Sequence, residues 1–484
     1  MDRPRRIDDL ADELISHILS FLLGSEPSSN DTSPTNSHGS YVPNGSCAHG
    51  ETSDLDRFRL VCARFKRIAT PWKFPRFVLR FSRDGFRRLE DLLDMQLACH
   101  VRSFTYMVRP FYQGSDWSSV LKAVESQNLA ISQVHKSRRE DQEYIITGAH
   151  DMLLLRRAIS AFSSLQQIKL LRLQDGADEQ LLDYIREQSS AETVYLDWES
   201  ACTRAVTSLA ISLLESNCSA IRFVGPQISP ESAVKLSQTP PLTLSTLGAR
   251  LTSIDVTFHS PKDMTSSIKS VSSVFHDFFL SAKNLTSIKL GFRANMPLDL
   301  SLELIFHRLQ WKRLRALSIQ GWRLDSEEVI SLIRRHRRQL RDIALAGVYL
   351  RNGGRWRDIL SVLHDEMDQV ERIDLRDIDY ADHLDSDSPD TNGHASTSST
   401  SVLSVVPEPT LALPPYHASF NADYPFISLC GSTRRSFSET TLERLRALTA
   451  DDLGDNGLSV RHEQRLLWEA WVLSSPGNTL RRRQ

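Results

Sequence analysis

The sequence predicts an α/β chain in which a small helical module precedes an irregular solenoid of short parallel strands and helices, with disordered inserts. Three observations predict it: an apolar triplet that recurs along the middle of the chain, helical stripes between its copies, and two amphipathic segments near the amino terminus.

Over residues 165–375 an apolar residue is followed by others three and five positions later. The copies are Leu165, Ile168, Leu170; Leu251, Ile254, Val256; Leu285, Ile288, Leu290; Leu314, Leu317, Ile319; Leu340, Ile343, Leu345; and Val370, Ile373, Leu375. Weaker copies at Ala191, Val194, Leu196 and at Cys218, Ile221, Phe223 bring neighbouring starts to roughly 26 to 34 residues apart, a spacing typical of stacked repeats. Between copies lie helical stripes. In residues 325–338, Val329, Leu332 and Ile333 share a face with Leu340, while Arg334, Arg335, Arg337 and Arg338 project outward. Ser326 and Glu328 supply an acceptor and an acid where that helix starts. One strand-plus-helix unit cannot bury both its parts, so neighbours stack into a curved solenoid over 161–381, with a concave parallel sheet as its binding surface.

This pattern resembles the leucine-rich repeat families, and their irregular members in particular. The ninth motif position, usually Asn or Cys, is Trp322, Val348 and Ile378 in three consecutive units. Without that Asn ladder the turns need other partners, and a regular horseshoe is not expected. Trp198, Trp311, Trp322 and Trp356 fall near strand ends. Trp198, Trp322 and Trp356 are candidate substrate-binding anchors, with core filling as the competing reading.

Near the amino terminus, IDDLADELISHILSFL places Leu10, Leu14, Ile15, Ile18, Leu19 and Leu22 at helical spacing, with Asp9, Asp12 and Glu13 favouring the helix start. After a polar insert, LDRFRLVCARFKRIATPWKFPRFVLRF runs Phe58, Val61, Phe65, Ile68 and Trp72 as a second stripe, bounded by Pro71 and Pro75. Cys62, beside Val61, reads as a small buried hydrophobe. Under fifty ordered residues bury too little to stand alone, so the module wants a partner.

Taken together, residues 7–80 resemble the F-box, whose pattern starts Leu-Pro-x-Glu-Leu and later carries Leu-Val-Cys-x-x-Phe/Trp; Leu60, Val61, Cys62 and Phe65 match the second signature in order. Ala11 stands where Pro is usual, which the first helical turn tolerates. The insert at 24–53 separates helices that are normally joined closely, at a closure cost of roughly 1 to 2 kcal/mol. The succession of this module, RFSRDGFRRLEDLL, HVRSFTYMVRPFY and irregular repeats also looks like a group of fungal F-box proteins. The resemblance implies a Skp-type adaptor bound through Leu10, Leu14, Ile15, Ile18, Leu19, Leu22, Leu60, Val61, Cys62, Phe65, Ile68 and Trp72, and through it a cullin and a RING protein. The repeats would then present a protein substrate for ubiquitination, acting by proximity rather than catalysis and without a cofactor. A non-degradative scaffold carrying the same module is the alternative.

The rest of the chain is divided as follows. Residues 81–160 connect module and repeats and contain a polar excursion, 111–144, with one helix. Residues 382–437 read as a disordered linker. In 438–475, one stripe of Leu442, Leu445 and Leu448 and another of Leu466, Leu467, Ala470 and Trp471 predict helices that cap the last repeat, with free recruitment helices as the competing reading.

Composition excludes several other functions. Among 484 residues, 58 Lys and Arg nearly balance 60 Asp and Glu, so a net charge of −2 steers the chain toward neither nucleic acid nor membrane. The six cysteines are scattered singly, which points to a reducing compartment, cytoplasm or nucleus, and no segment reads as a signal peptide or a membrane span. No phosphate loop, nucleophile elbow or zinc motif is present, and His38, Cys47 and His49 lie in the insert without support for a metal. The run RRHRR at 334–338 reads as a solvated helix face, with an acidic partner or RNA as the competing reading. Arg481, Arg482 and Arg483 are a weak import signal, and Ser33, Ser388 and Ser475 precede proline as candidate phosphorylation sites.

Overall fold

The computed structural model describes residues 7, 10–22, 54–187, 194–228, 241–258, 263–292, 296–367, 369–382 and 439–475. The inserts at 24–53 and 383–437 fall outside these residues. So do His38, Cys47, His49, Ser33, Ser388, Cys430 and the terminal arginines.

The described strands, in chain order, are β1 (Arg76–Arg80), β2 (Ser103–Val108), β3 (Phe111–Gly114), β4 (Gln167–Arg172), β5 (Val194–Asp197) and β6 (Ile221–Ile228). They continue as β7 (Leu251–Phe258), β8 (Ser287–Gly291), β9 (Ala316–Leu324), β10 (Asp342–Leu350), β11 (Arg372–Arg376) and β12 (Asp379–Tyr380). Nine of them, β1, β2, β4 and β6 to β11, form one parallel sheet whose spatial order is the chain order, and β12 pairs with the end of β10. A parallel sheet built only from sequential neighbours, with helical crossovers, is a solenoid-like α/β arrangement.

The apolar triplet explains the sheet. Its last two members alternate along a strand, so both point into the core; Ile288, Leu290, Leu317, Ile319, Ile343 and Leu345 are all buried. The first member, as in Leu285, Leu314, Leu340 and Val370, is buried in the turn before the strand. Residues between them face away, and in register they form rows such as Lys289, Ser318, Ala344 and Asp374.

The weak unit Ala191, Val194, Leu196 does not join this sheet. Its strand β5 pairs antiparallel with β3 in a separate two-stranded sheet. Only Val194 of β5 is buried, and it packs into a satellite core with Tyr112, Trp117, Leu181 and Ile185. In its place the sheet gains β1 and β2 at its amino-terminal end. The triplets Phe74, Phe77, Leu79 and Val101, Phe104, Tyr106 carry the same spacing, within stretches assigned to the module and to the connecting region.

Helices α1 (Asp12–Leu22), α2 (Asp54–Val61) and α3 (Ala63–Lys73) make up the amino-terminal module. Then come α4 (Arg83–Asp94), α5 (Trp117–Gln127), α6 (Leu129–Thr147), α7 (His150–Ala161), α8 (Gly176–Glu187) and α9 (Trp198–Glu215). The excursion at 111–144 therefore holds two helices, not one. Its polarity hid the second because α6 is held largely by hydrogen bonds: Asn128 accepts from the Ile131 amide, Ser132 donates to the Leu121 carbonyl, and His135 bridges the Tyr112 hydroxyl (2.7 Å) and the Ala177 carbonyl (3.0 Å). A half-buried four-member network of Arg109 and Arg138 with Asp175 and Asp178 fastens α6 and α8 to the end of β2. Burial pushes the Asp175 carboxyl up, but hydrogen bonds from Arg109 and Arg138 outweigh it and hold the group well below its usual range.

The remaining helices are α10 (Pro241–Arg250), α11 (Thr265–Ser270), α12 (Ser272–Ser281), α13 (Glu303–Phe306), α14 (Ser326–Arg335), α15 (Trp356–Asp365), α16 (Glu439–Arg446) and α17 (His462–Leu473). In α14 the capping residue is Asp325, whose amide donates to Glu328, rather than Ser326. At the carboxyl end the sequence-expected cap packs on the last repeat. Trp471 stacks on His364 of α15 at 4.1 Å between ring centroids, and the Glu469 carboxylate accepts the Leu375 amide at 2.8 Å. That amide belongs to the last strand of the sheet, where an unpaired N–H would otherwise invite another chain. Ser475 is buried beside this cap, which argues against its reading as a modification site.

Candidate docking site

The module is assembled from two sequence-distant halves. Asp12, in the first turn of α1, accepts Arg64 Nε at 2.7 Å and also pairs with Arg67, while Arg64 donates to the Leu10 carbonyl. The Arg64 hydrogen bond, reinforced by both guanidinium charges, holds the Asp12 carboxyl below its ordinary range. Ile15 and Leu19 of α1 and Phe65 and Ala69 of α3 are buried between the halves. The chain thus leaves α1 and returns to it after the insert.

The second half departs from the single stripe read in the sequence. It breaks at Cys62, whose backbone is extended (φ −160°, ψ 167°) and whose sulfur accepts the Phe65 amide at 3.4 Å, capping α3. The break lets the Phe58 and Phe65 rings stack face to face, 4.4 Å apart between centroids. Cys62 is consequently exposed, not the buried hydrophobe expected: a residue in the hinge between two helices has no helix face to bury. Pro71 lies inside α3 and does not end it.

Eleven of the twelve residues that the F-box resemblance assigns to the adaptor fall into three groups. Ile15, Leu19 and Phe65 form the module's own core, and Leu10, Ile68 and Trp72 are half-buried. Leu14 (53% exposed), Ile18, Leu60 (80%), Val61 (66%) and Cys62 face outward. The side chain of Leu22 lies outside the described residues. Phe21, missed in the sequence reading, is 75% exposed and stands seven residues after Leu14 and three after Ile18. That spacing puts all three on one outward face of α1, and the α1 stripe already contained the signal. An apolar face of large side chains left to solvent is costly for an isolated chain.

The candidate anchors on the repeats resolve differently. Trp322 and Trp356 are fully buried: Trp322 Nε1 donates to the Leu300 carbonyl at 2.8 Å, and Trp356 Nε1 to the Asp379 carbonyl at 3.2 Å. An indole whose N–H is satisfied inside the core cannot line a surface, and the same holds for Trp311. Trp198 is half-buried under the Arg172 guanidinium, 5.2 Å from its ring. The floor of the sheet's outward face is instead made of small side chains. Ser318, Ala344 and Ala346 lie between flanking charges paired as Asp255 with Lys289 and Asp342 with Arg372.

The RRHRR run is not one solvated face. Arg334 pairs with Glu366 and Arg335 with Glu303, His336 is fully buried, and Arg337 and Arg338 are exposed. Among the described residues no group of three or more His, Cys, Asp or Glu is placed to hold a metal ion, and no helix is long and apolar enough to cross a membrane. In comparisons with known proteins, no family model matches the chain and no curated protein emerges as a relative.

Proposed function

We propose that the chain is a substrate receptor of a Skp-cullin-F-box ubiquitin ligase, docking on the adaptor through α1 to α3 and holding a protein substrate on its repeat sheet. The observation that carries this reading is the outward apolar face of the module. Leu60 and Val61, which match the F-box signature, are among the most exposed large hydrophobic side chains in the described chain, whereas the matching Phe65 supports the module from within. A sheet with an outward face of small and paired polar side chains suits a protein partner. Holding a substrate lysine near an activated ubiquitin raises its effective concentration without any catalytic group on this chain.

Because Leu60 and Val61 project outward, replacing both tests docking without disturbing the fold. Leu60→Asp with Val61→Asp is expected to weaken co-purification of the Skp adaptor by roughly tenfold or more, as for two central apolar contacts of an interface, while hydrogen exchange of the α1 and α3 amides stays unchanged. Undiminished adaptor recovery would remove the basis of the reading. With docking established, unchanged turnover of every co-purifying partner would favour the scaffold alternative.

A further inference from the structure

The turns that lead into four successive strands carry a repeated tetrad: KNLT at 283–286, KRLR at 312–315, RQLR at 338–341 and DQVE at 368–371. The third residue of each, Leu285, Leu314, Leu340 or Val370, is buried in the core, while Lys283, Asn284, Lys312, Arg313, Arg315 and Arg338 are exposed. Fourth positions stack directly. The Arg315 amide donates to the Thr286 carbonyl at 2.7 Å, the Arg341 amide to the Arg315 carbonyl at 2.8 Å, and the Glu371 amide to the Arg341 carbonyl at 2.7 Å. Strand spacing of about 4.8 Å thereby sets the side chains of neighbouring tetrads side by side.

The result is a groove of 520 Å³ whose lining includes five cations, Lys312, Arg313, Arg315, Arg338 and Arg341, and no acid. Its size is that of a ligand site, roughly 300 to 1,000 Å³. It is bounded along the sheet, since the tetrad before it offers Thr286 and the one after it Glu371. Glu371 pairs with Arg341, and Arg313 approaches only the neutral Asn284 at 3.5 Å. Among the described residues Lys312, Arg315 and Arg338 make no ion pair, whereas other arginines are paired, as Arg83 with Asp141, Arg334 with Glu366 and Arg335 with Glu303. Like charges left unneutralised side by side repel, and an anionic ligand relieves that repulsion.

We propose that this groove binds a peptide segment bearing clustered negative charge, as carboxylates or as phosphorylated side chains. Guanidinium pairs in fixed neighbouring turns suit bidentate recognition of either group. One feature favours peptide over nucleic acid: no aromatic side chain lines the groove to stack a base, since Trp311 beside it is buried against His336. The proposal stands apart from the adaptor reading, because peptide binding is measured with no ligase present.

The test is fluorescence anisotropy on the full chain. The probes are a labelled Asp/Glu-rich decapeptide, the same peptide with one phosphoserine, and a single-stranded RNA of ten nucleotides. Arg315→Glu with Arg338→Glu is compared with Arg88→Glu plus Lys269→Glu, which makes the same charge change away from the groove. At least one peptide is expected to bind more tightly than the RNA, and the groove variant to weaken it about tenfold or more while the control stays near wild type. The better of the two peptides identifies carboxylate or phosphate as the preferred group. Absence of peptide binding, equal loss in both variants, or tighter binding of the RNA would each overturn the proposal. Matching thermal transitions for the variants and wild type show that the fold is retained.

Discussion

The repeats from β8 to β11 and the module of α1 to α3 treat their large apolar residues in opposite ways. In the repeats, Trp311, Trp322 and Trp356 are all buried, and each indole N–H is satisfied by a carbonyl. In the module, Leu14, Ile18, Phe21, Leu60 and Val61 stand in solvent although both of its halves meet around Ile15, Leu19 and Phe65. Each repeat has a neighbour on either side, so its apolar faces are covered within the chain. The described residues of the module are too few to cover its own. The same residue type is therefore enclosed in one region and left exposed in the other.

The largest effect that would break this contrast belongs to Trp322. Its ring packs edge-to-face on Phe292 at 4.9 Å and against Phe306, and no solvent reaches it. Trp322→Ala is expected to cost about 3 to 5 kcal/mol, the range for a large core aromatic, and to lower the thermal midpoint sharply. A loss under about 1 kcal/mol would return Trp322 to the surface role that its position at a strand end had suggested.

The next effect is a pH dependence at the same end of the molecule. His336 is buried, its Nε2 accepts the Trp311 amide at 3.1 Å, and its Nδ1 donates to the Leu332 carbonyl at 3.0 Å, so both ring nitrogens are used by the neutral form. Burial, with a smaller contribution from Arg335, pushes the imidazole down to about 4. This folded value lies below the ordinary 6.5, so the neutral ring is the form the fold favours. Stability from this residue is fully present above pH 6.5 and is lost as pH falls from 6.5 toward 4, where the unfolded chain takes up the proton first. The loss should reach roughly 3 kcal/mol. Denaturant midpoints across that window should fall less steeply in His336→Gln, and identical slopes would show that His336 is not held neutral.

How far the sequence could be read follows the same division. The triplet located seven of the nine strands of the parallel sheet because burial of both strand residues leaves a strong pattern. Phe74, Phe77, Leu79 and Val101, Phe104, Tyr106 carried that pattern too, but lay inside stretches already given to the module and the connection. The Ala191 unit showed the spacing without the burial, because β5 serves the satellite core and not the main sheet. Side-chain direction was harder to read. A tryptophan at a strand end is equally consistent with core and surface until the neighbouring carbonyls are known, and nothing in the spacing of Phe58, Val61 and Phe65 announces the break at Cys62. The groove of the tetrads needed the stacking of turns from separate repeats, which no single window of sequence contains.

The smallest effect discriminates most finely, because it compares adjacent residues of one helix. Leu14 and Ile15 are consecutive in α1, yet Leu14 is 53% exposed and Ile15 only 1%. Ile15→Ala is expected to cost about 2 kcal/mol, the low end for a buried aliphatic, since a three-helix module partly collapses around the cavity. Leu14→Ala should stay within about 0.5 kcal/mol, as for a surface side chain. The module is a small part of the chain, so a global thermal midpoint is a poor reporter, and hydrogen exchange of the α1 and α3 amides is the better one. Faster exchange in both variants would mean that Leu14 supports the module from within and is not free for a partner. Faster exchange only in Ile15→Ala, with the adaptor lost in Leu14→Ala, would separate the face that folds the module from the face that docks it.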